Sequence, residues 1–330
     1  MKGVLLINLG TPDTPDPKSV YRYLTEFLND TRVIDLPAPL RWILTNLIII
    51  PFRYKKTAKA YQKIWTESGS PLLDNSNKLS QALAAQLGNE YKVALGMRYG
   101  KPNIKSALEK LKSCEEIIII PLFPQYSSAA TGSAIDKTLN LIAKQWNIPA
   151  ISTIRDFYNH PGFITAYSDI IKINLKPDYH LLLSYHGLPE RHITKSDCQA
   201  QCDHQDKCPA ITANNSYCYR AQCYQTSELI AKQLSLTPEQ YTVAFQSRLG
   251  RTPWIKPYTD LILPELRKKG IKNLAIVCPS FVADCLETLE EVNIRTRAQW
   301  MSLGGNEFIF IPCLNDSPIW IKQLAAAIKK

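Results

Sequence analysis

Residues Leu181 to Glu190 read Leu-Leu-Leu-Ser-Tyr-His-Gly-Leu-Pro-Glu, an apolar strand that stops at a histidine on a Gly/Pro turn. In an open parallel sheet the ligand site lies outside the carboxyl ends of the strands. Imidazole is also the side chain best suited to exchange protons or hold a metal near neutral pH. His186 is therefore the first candidate for chemistry. A second short apolar strand, Ala275 to Val277, ends in Cys278-Pro279 and is followed by Asp284, Glu287, Glu290 and Glu291, four acids in one turn-rich, helix-opening segment. The bland alternative is a hydrogen-bonded turn histidine and a solvated acidic helix face.

Outward from this stretch, apolar runs alternate with amphipathic ones. Strands are expected at Val4 to Leu9, Lys92 to Leu95, Ile117 to Ile120, Ala150 to Ser152, Leu181 to Ser184, Thr242 to Phe245, Leu274 to Val277 and Phe308 to Ile311. Helical patterns lie between them at Asn77 to Leu87, Ile104 to Lys112, Ala134 to Gln145 and Thr226 to Gln233. That alternation predicts an α/β fold with parallel sheets. It also repeats: Leu5 to Pro12 matches Leu182 to Pro189, with Gly10 against Gly187. Tyr91-Lys92-Val93-Ala94 with Arg98 matches Tyr241-Thr242-Val243-Ala244 with Arg248, and Ile120 to Phe123 matches Cys278 to Phe281. Three pairs in the same order predict a duplication. The expected domains are residues 1–155 and 156–316, with a last helix over 317–330 that could return to the first domain.

The chain has 330 residues, 45% of them hydrophobic, which is enough to bury two medium cores. Its 39 basic and 29 acidic residues leave a net charge of +10, suited to an anionic ligand or membrane surface. Nucleic acid is not expected, because the basic residues are spread out and no helix-turn-helix, zinc-finger or RNP pattern occurs. The opening apolar run, Gly3 to Leu9, is too short for a signal sequence and reads as the first strand of a cytoplasmic protein. No window offers about 20 apolar residues, so no membrane span is expected. The nearest approach is Leu40 to Phe52, followed by Arg53, Lys55, Lys56, Lys59 and Lys63. It reads either as a buried helix or as an apolar lip that covers a greasy ligand and rests on a membrane through residues 40–56. No Gly-x-Gly-x-x-Gly, Walker A or Gly-x-Ser-x-Gly sequence follows a strand, which removes support for a nucleotide cofactor or a serine hydrolase.

One imidazole beside hard carboxylate ligands suits a labile ferrous-type ion. The chain resembles the ferrochelatases, which insert ferrous iron into protoporphyrin. The resemblance rests on Leu6-Ile7-Asn8-Leu9-Gly10-Thr11-Pro12, Pro124 to Ser127 with Thr131 to Ser133, Ser184 to Pro189, Phe245 to Arg248 with Pro253-Trp254, and Cys285 to Glu291. It covers nearly the whole chain. It implies two flavodoxin-like (Rossmann-like) domains with a porphyrin cleft between them, lipped by residues 40–52. It also implies His186 and Glu287 as the metal-handling pair, with Glu291 one turn on continuing an acidic path. Metalation releases two pyrrole protons, so a neutral imidazole is needed to accept one while carboxylates deliver the ion and carry protons away. Tyr99, Tyr126 and Trp254 are candidates to pack on the ring, and Arg98 or Arg248 to meet propionates. Where some relatives have a histidine two residues before the glutamate, this chain has Cys285. A coproporphyrin ferrochelatase, a cobalt chelatase of a related tetrapyrrole and a non-catalytic porphyrin or haem carrier are the alternatives.

Cys198, Cys202, Cys208, Cys218 and Cys223, with His204, crowd an insertion over residues 195–223. In a cytosolic protein such a cluster indicates metal rather than disulfides. Cys-x2-Cys knuckles typical of zinc are absent, and irregularly spaced thiolates fit an iron–sulfur centre. Some bacterial ferrochelatases carry a [2Fe-2S] cluster in an internal segment, and this stretch looks similar. The expected ligands are Cys198, Cys202, Cys208 and Cys218, with Cys223 as substitute. An adventitious zinc site or reduced thiols would be the alternative.

Overall fold

The structure is a computed structural model and describes residues 1–196, 208–250 and 252–329. It divides into two compact units, Met1–Phe123 with Ser127–Asp156 and Asn315–Lys330, and Pro124–Tyr126 with Phe157–Leu314.

The first unit holds a sheet of β1 (Lys2–Thr11), β2 (Tyr91–Gly100), β3 (Glu116–Pro121) and β4 (Ala150–Thr153), in the order β2-β1-β3-β4. All neighbours run parallel; Leu5 stands against Ala94 on one side and Ile119 on the other. Around the sheet lie α1 (Pro17–Leu28), α2 (Ala38–Ile43), α3 (Ile50–Ile64), α4 (Pro71–Leu87), α5 (Ile104–Lys110) and α6 (Ser133–Ile142). The central strands are continuous aliphatic runs because both faces are covered. Leu5, Ile7, Ile117 and Ile119 form one core with Ile104, Leu108 and Leu111. Local chemistry sets the helix ends: Asp16 accepts the N–H groups of Lys18 and Ser19 and Pro17 opens α1, while Gly88, at φ 79°, closes α4.

The second unit repeats the plan. Strands β5 (His180–His186), β6 (Tyr241–Gln246), β7 (Asn273–Val277) and β8 (Glu307–Phe310) pair in parallel in the order β6-β5-β7-β8. Its helices are α7 (Pro161–Asn174), α8 (Glu190–Thr194), α9 (Tyr219–Gln233), α10 (Thr259–Lys268) and α11 (Arg297–Ser302). Its core joins Leu182, Ala244, Leu274 and Ile276 to Leu263, Leu266 and Trp300. The last helix, α12 (Pro318–Ile328), packs on α4 of the first unit and buries Trp320, Leu324 and Ile328.

The glycines matched between the two repeats do the same work. A Cβ on Gly10 would fall 1.7 Å from the Tyr99 carbonyl oxygen, and one on Gly187 would fall 2.7 Å from that of Gln246. At both places a strand end passes so close to its neighbour that only glycine fits. The α/β class, the parallel sheets and the matched order of the repeats all agree with the sequence reading.

Candidate active site

In the second sheet the chain runs from β5 to β6 on one side and then to β7 on the other. The gap between β5 and β7 is thus the switch point, where parallel sheets place their ligands. His186 is the last residue of β5 and stands there half-buried, its ring 6.4 Å from that of Trp254 and 6.3 Å from that of Phe281. Its Nδ1 lies 2.6 Å from the Gly187 carbonyl oxygen. A carbonyl only accepts, so Nδ1 carries a hydrogen, and in the neutral ring the lone pair then lies on Nε2.

The acids come from a π-helical segment, Glu287–Thr296, whose i→i+5 bonds make it wider than an α-helix, a form often found at functional sites. Gln246, buried at the end of β6, ties this segment to the sheet. Its Nε2 donates to the Glu287 carbonyl at 2.9 Å, its Oε1 accepts from Ser184 Oγ at 2.7 Å, and its own carbonyl accepts from the Gly187 N–H at 2.8 Å. Glu291 is held by Ser247, which donates its N–H at 2.8 Å and its hydroxyl at 2.6 Å. Ser247 manages both from a left-handed backbone, φ 67°, a conformation that costs an L-residue roughly 1–2 kcal/mol. Burial pushes the Glu291 carboxyl above its ordinary value and repulsion from Glu287 adds to this; Ser247, Arg295 and His186 pull the other way. Next to it, Arg295 bonds Glu290 at 2.7 Å and approaches Glu291 at 3.7 Å. The group can therefore take up a proton at Nε2 and pass one through a carboxyl that holds its proton longer than usual.

The other expected site residues divide. Trp254 lies beside His186, with Nε1 donating to the Leu249 carbonyl. Tyr126 is half-buried, edge-on to Tyr217, and its backbone N–H donates to Gln222. Arg248 is exposed, pairs with Asp260 at 2.6 Å and lies over Tyr258. The ring contact expected of Tyr99 and the propionate contact expected of Arg98 need correction. Tyr99 is wholly buried, its hydroxyl donating to Asp30 at 2.8 Å. Arg98 also bonds Asp30, and donates to Ser133 Oγ at 2.6 Å. Both are spent inside the first unit on a buried carboxylate.

Arg53 in α3, which the sequence reading gave no individual role, has what Arg98 lacks. It is half-buried, burial lowers its pKa, and among the described residues it has no hydrogen-bond or ion-pair partner. The same unit offers a cavity of about 320 Å³ at the loops leaving β1 and β2, lined by Pro12, Asp13, Trp65, Ser70, Lys101 and Pro102. Around Arg53 several apolar side chains of the segment 40–52 are open to solvent: Leu40 is 57% exposed, Trp42 56%, Leu47 58%, Ile48 51% and Phe52 82%. The buried-helix alternative therefore fails for these side chains.

Cys198 and Cys202, with His204, lie outside the described residues. Cys208 is half-buried and accepts a bond from Arg220 Nη1 at 3.0 Å; Cys218 and Cys223 are buried. Burial raises the Cys223 thiol well above its ordinary pKa, and Cys208 and Cys218 lie near enough to raise it further. Among the described residues no three His, Cys, Asp or Glu side chains are gathered to hold a metal ion.

Solved structures share this pair of parallel sheets. The chain matches SirB from Bacillus subtilis with Fe3+ at a TM-score of 0.56 and 11% identity, over 99% of this chain and 94% of that one. It matches the cobalt complex of the sirohydrochlorin chelatase SirB from Bacillus subtilis subspecies spizizenii at the same score and 8% identity, with the same coverage. At such identities the likeness is one of fold. Sequence goes further: the Ferrochelatase family model matches residues 1–330. The chain is 58% identical over 329 residues to the ferrochelatase of Legionella pneumophila (strain Lens), covering 100% of this chain and 99% of that one. It is 52% identical over 334 residues to that of Coxiella burnetii (strain Dugway 5J108-111), covering 99% and 93%. The chain belongs to the ferrochelatase family.

Proposed function

We propose that the protein inserts ferrous iron into protoporphyrin IX, releasing two protons, with His186 as acceptor of a pyrrole proton and Glu287 and Glu291 as the carboxylates that handle the ion and lead protons away. The observation that carries this is the 2.6 Å approach of His186 Nδ1 to the Gly187 carbonyl oxygen. With Nδ1–H engaged by Gly187, the lone pair on Nε2 is available beside a carboxyl, Glu291, that holds its proton longer than usual. Trp254 and Tyr126 are the remaining candidates to pack on the macrocycle. Arg53, a half-buried cation with no counter-ion among the described residues, suits a propionate, with Arg248 as a second, exposed candidate. The apolar lip favours protoporphyrin, with two carboxylates, over coproporphyrin, with four. Its exposed side chains and the exposed Lys55, Lys56 and Lys59 that follow also support peripheral contact with an anionic membrane.

Anaerobic incubation with ferrous iron and either porphyrin, followed by absorbance, is the direct test. Wild type should metalate protoporphyrin faster than coproporphyrin. His186→Ala should bind porphyrin yet lose at least about 10²-fold in turnover, the usual contribution of an acid–base group. Turnover above a tenth of wild type would end this role for His186.

The thiols of the insertion suit a [2Fe-2S] centre, with Cys208 and Cys218 as ligands alongside Cys198 and Cys202, and Cys223 as substitute. The supporting observation is Arg220, whose guanidinium stabilises charge on the Cys208 sulfur. When bound, such a centre would supply one-electron redox chemistry and cross-link the segment. Anaerobically purified protein should contain about two irons and two sulfides per chain. Cys208→Ser should bleach it, and Cys114→Ser should not. A colourless protein carrying one zinc would refute the cluster and leave the chelatase reading intact.

A further inference from the structure

Arg220 is a buried cation at the unfavourable end of a helix. It is the second residue of α9 and only 9% exposed, and the partial positive charge at a helix N-terminus repels a cation. Its guanidinium is nevertheless held in one place. Nε donates to the Lys256 carbonyl at 3.3 Å and Nη2 to the Tyr224 hydroxyl at 3.3 Å, while Cζ lies 4.8 Å from the centre of the Tyr224 ring, one turn further along α9. The other terminal nitrogen, Nη1, donates to Cys208 Sγ at 3.0 Å. Helix and guanidinium act on the insertion in the same sense: Cys218 is the residue that opens α9, Cys208 meets Arg220, and both surroundings favour negative charge on sulfur.

We infer that Arg220 sets the reduction potential of the [2Fe-2S] centre proposed for these thiols, by fixing a positive charge against the Cys208 sulfur; this rests on the cluster reading. Taking up one electron turns one ferric ion of such a centre into ferrous and makes the whole one unit more negative. A fixed cation beside a ligand sulfur therefore favours the reduced form and raises the potential, since net charge and hydrogen bonds to the sulfurs are what tune it. Burial keeps the charge from being screened by salt. Tyr224 and Lys256 also hold the guanidinium in place before any electron arrives, so no rearrangement is needed to gain the stabilisation. Arg220 acts on the centre through Cys208, so it is a positioning residue.

The test is the midpoint potential of the anaerobically purified full chain, followed by absorbance while dithionite, itself oxidised to sulfite, supplies the electron through a redox dye. Arg220→Gln removes the charge. At a given potential its reduced-to-oxidised ratio should fall by about tenfold, a shift of about 59 mV for one electron, with iron and sulfide still at about two each per chain. Arg220→Lys keeps the charge without the planar fork and should stay within about threefold of wild type. An unchanged or raised midpoint in iron-loaded Arg220→Gln would overturn the inference, and so would a loss in Arg220→Lys as large as in Arg220→Gln, because charge would then not be the cause. Should Arg220→Gln take up no iron, Arg220→Met is a second neutral side chain of similar length and must show the same lowered midpoint. If neither loads, the inference fails as well, since Arg220 would then serve assembly and not potential. Failure of the underlying reading looks different: it appears as wild type without iron and sulfide, which ends the cluster and this inference together, whereas a loaded wild type with an indifferent Arg220→Gln ends this inference alone.

Discussion

At the scale of single residues, the site depends on ordinary side chains set by unusual neighbours. Glu291 is the case with a measurable sign. Its folded pKa lies above the ordinary 4.5, so the folded chain holds this proton more tightly than the unfolded one. The stability that follows is complete below the ordinary carboxylate range and declines as pH rises through the raised value. Glu291→Gln removes that decline. Its melting temperature should therefore gain on wild type as pH rises above the ordinary carboxylate range, while its turnover falls by about tenfold as a proton path is lost. A gain that does not vary with pH would show that burial is not what perturbs Glu291. His186 was legible in the sequence because a histidine ending an apolar strand has few explanations. Ser247, Gln246, Ser280 and Tyr219 were not legible as parts of the site. Serine, glutamine and tyrosine occur everywhere, and these four acquire meaning only when strand ends and the start of α9 bring them to the His186 backbone, the Glu287 carbonyl and the Glu291 carboxylate. Arg53 and Arg98 show the same limit from the other side: Asp30 neutralises Arg98 and no described residue neutralises Arg53, and the partner lies far along the chain.

At the scale of elements, the strands were the legible part. Ile117 to Ile120 cannot be an exposed segment, and a fully covered parallel strand is the structure that needs such a run. The helices around residues 38–64 were harder, because composition states how apolar a stretch is without saying what covers it. The structure leaves Ile48 and Phe52 open while Thr45 and Ile50 are buried. Ile48→Asp with Phe52→Asp should therefore fold normally. It should weaken binding to anionic liposomes and raise the porphyrin KM, since each side chain is worth about 1.5–3 kcal/mol when buried against a partner. Unfolding of the double variant, or unaltered liposome binding, would count against the lip. The π-helical winding of Glu287–Thr296 gave no signal in the sequence at all. It is a choice of backbone hydrogen bonds that no residue type marks, so ordinary helical spacing already placed Glu291 near Glu287 but said nothing of the wider helix.

At the scale of the whole molecule, repeated order in the sequence became repeated order in the sheets, although few residues are shared between the halves. The last helix departs from that simple halving. α12 belongs with the first unit, where Trp320 is 1% exposed. Trp320→Ala should cost about 3–5 kcal/mol, and hydrogen exchange should report the loss first in β1 and α4, leaving β5 and β7 protected; uniform loss would mean that the helix serves both units equally. Synthesis meets the same arrangement in time. The ribosome finishes residue 156 well before it reaches residue 315, and at about 5–20 residues per second the interval is on the order of 8–32 s. Through that interval the nascent first unit presents to the cell the bare flank of α4 that α12 will later cover, so the half of the chain made first is the last to be completed.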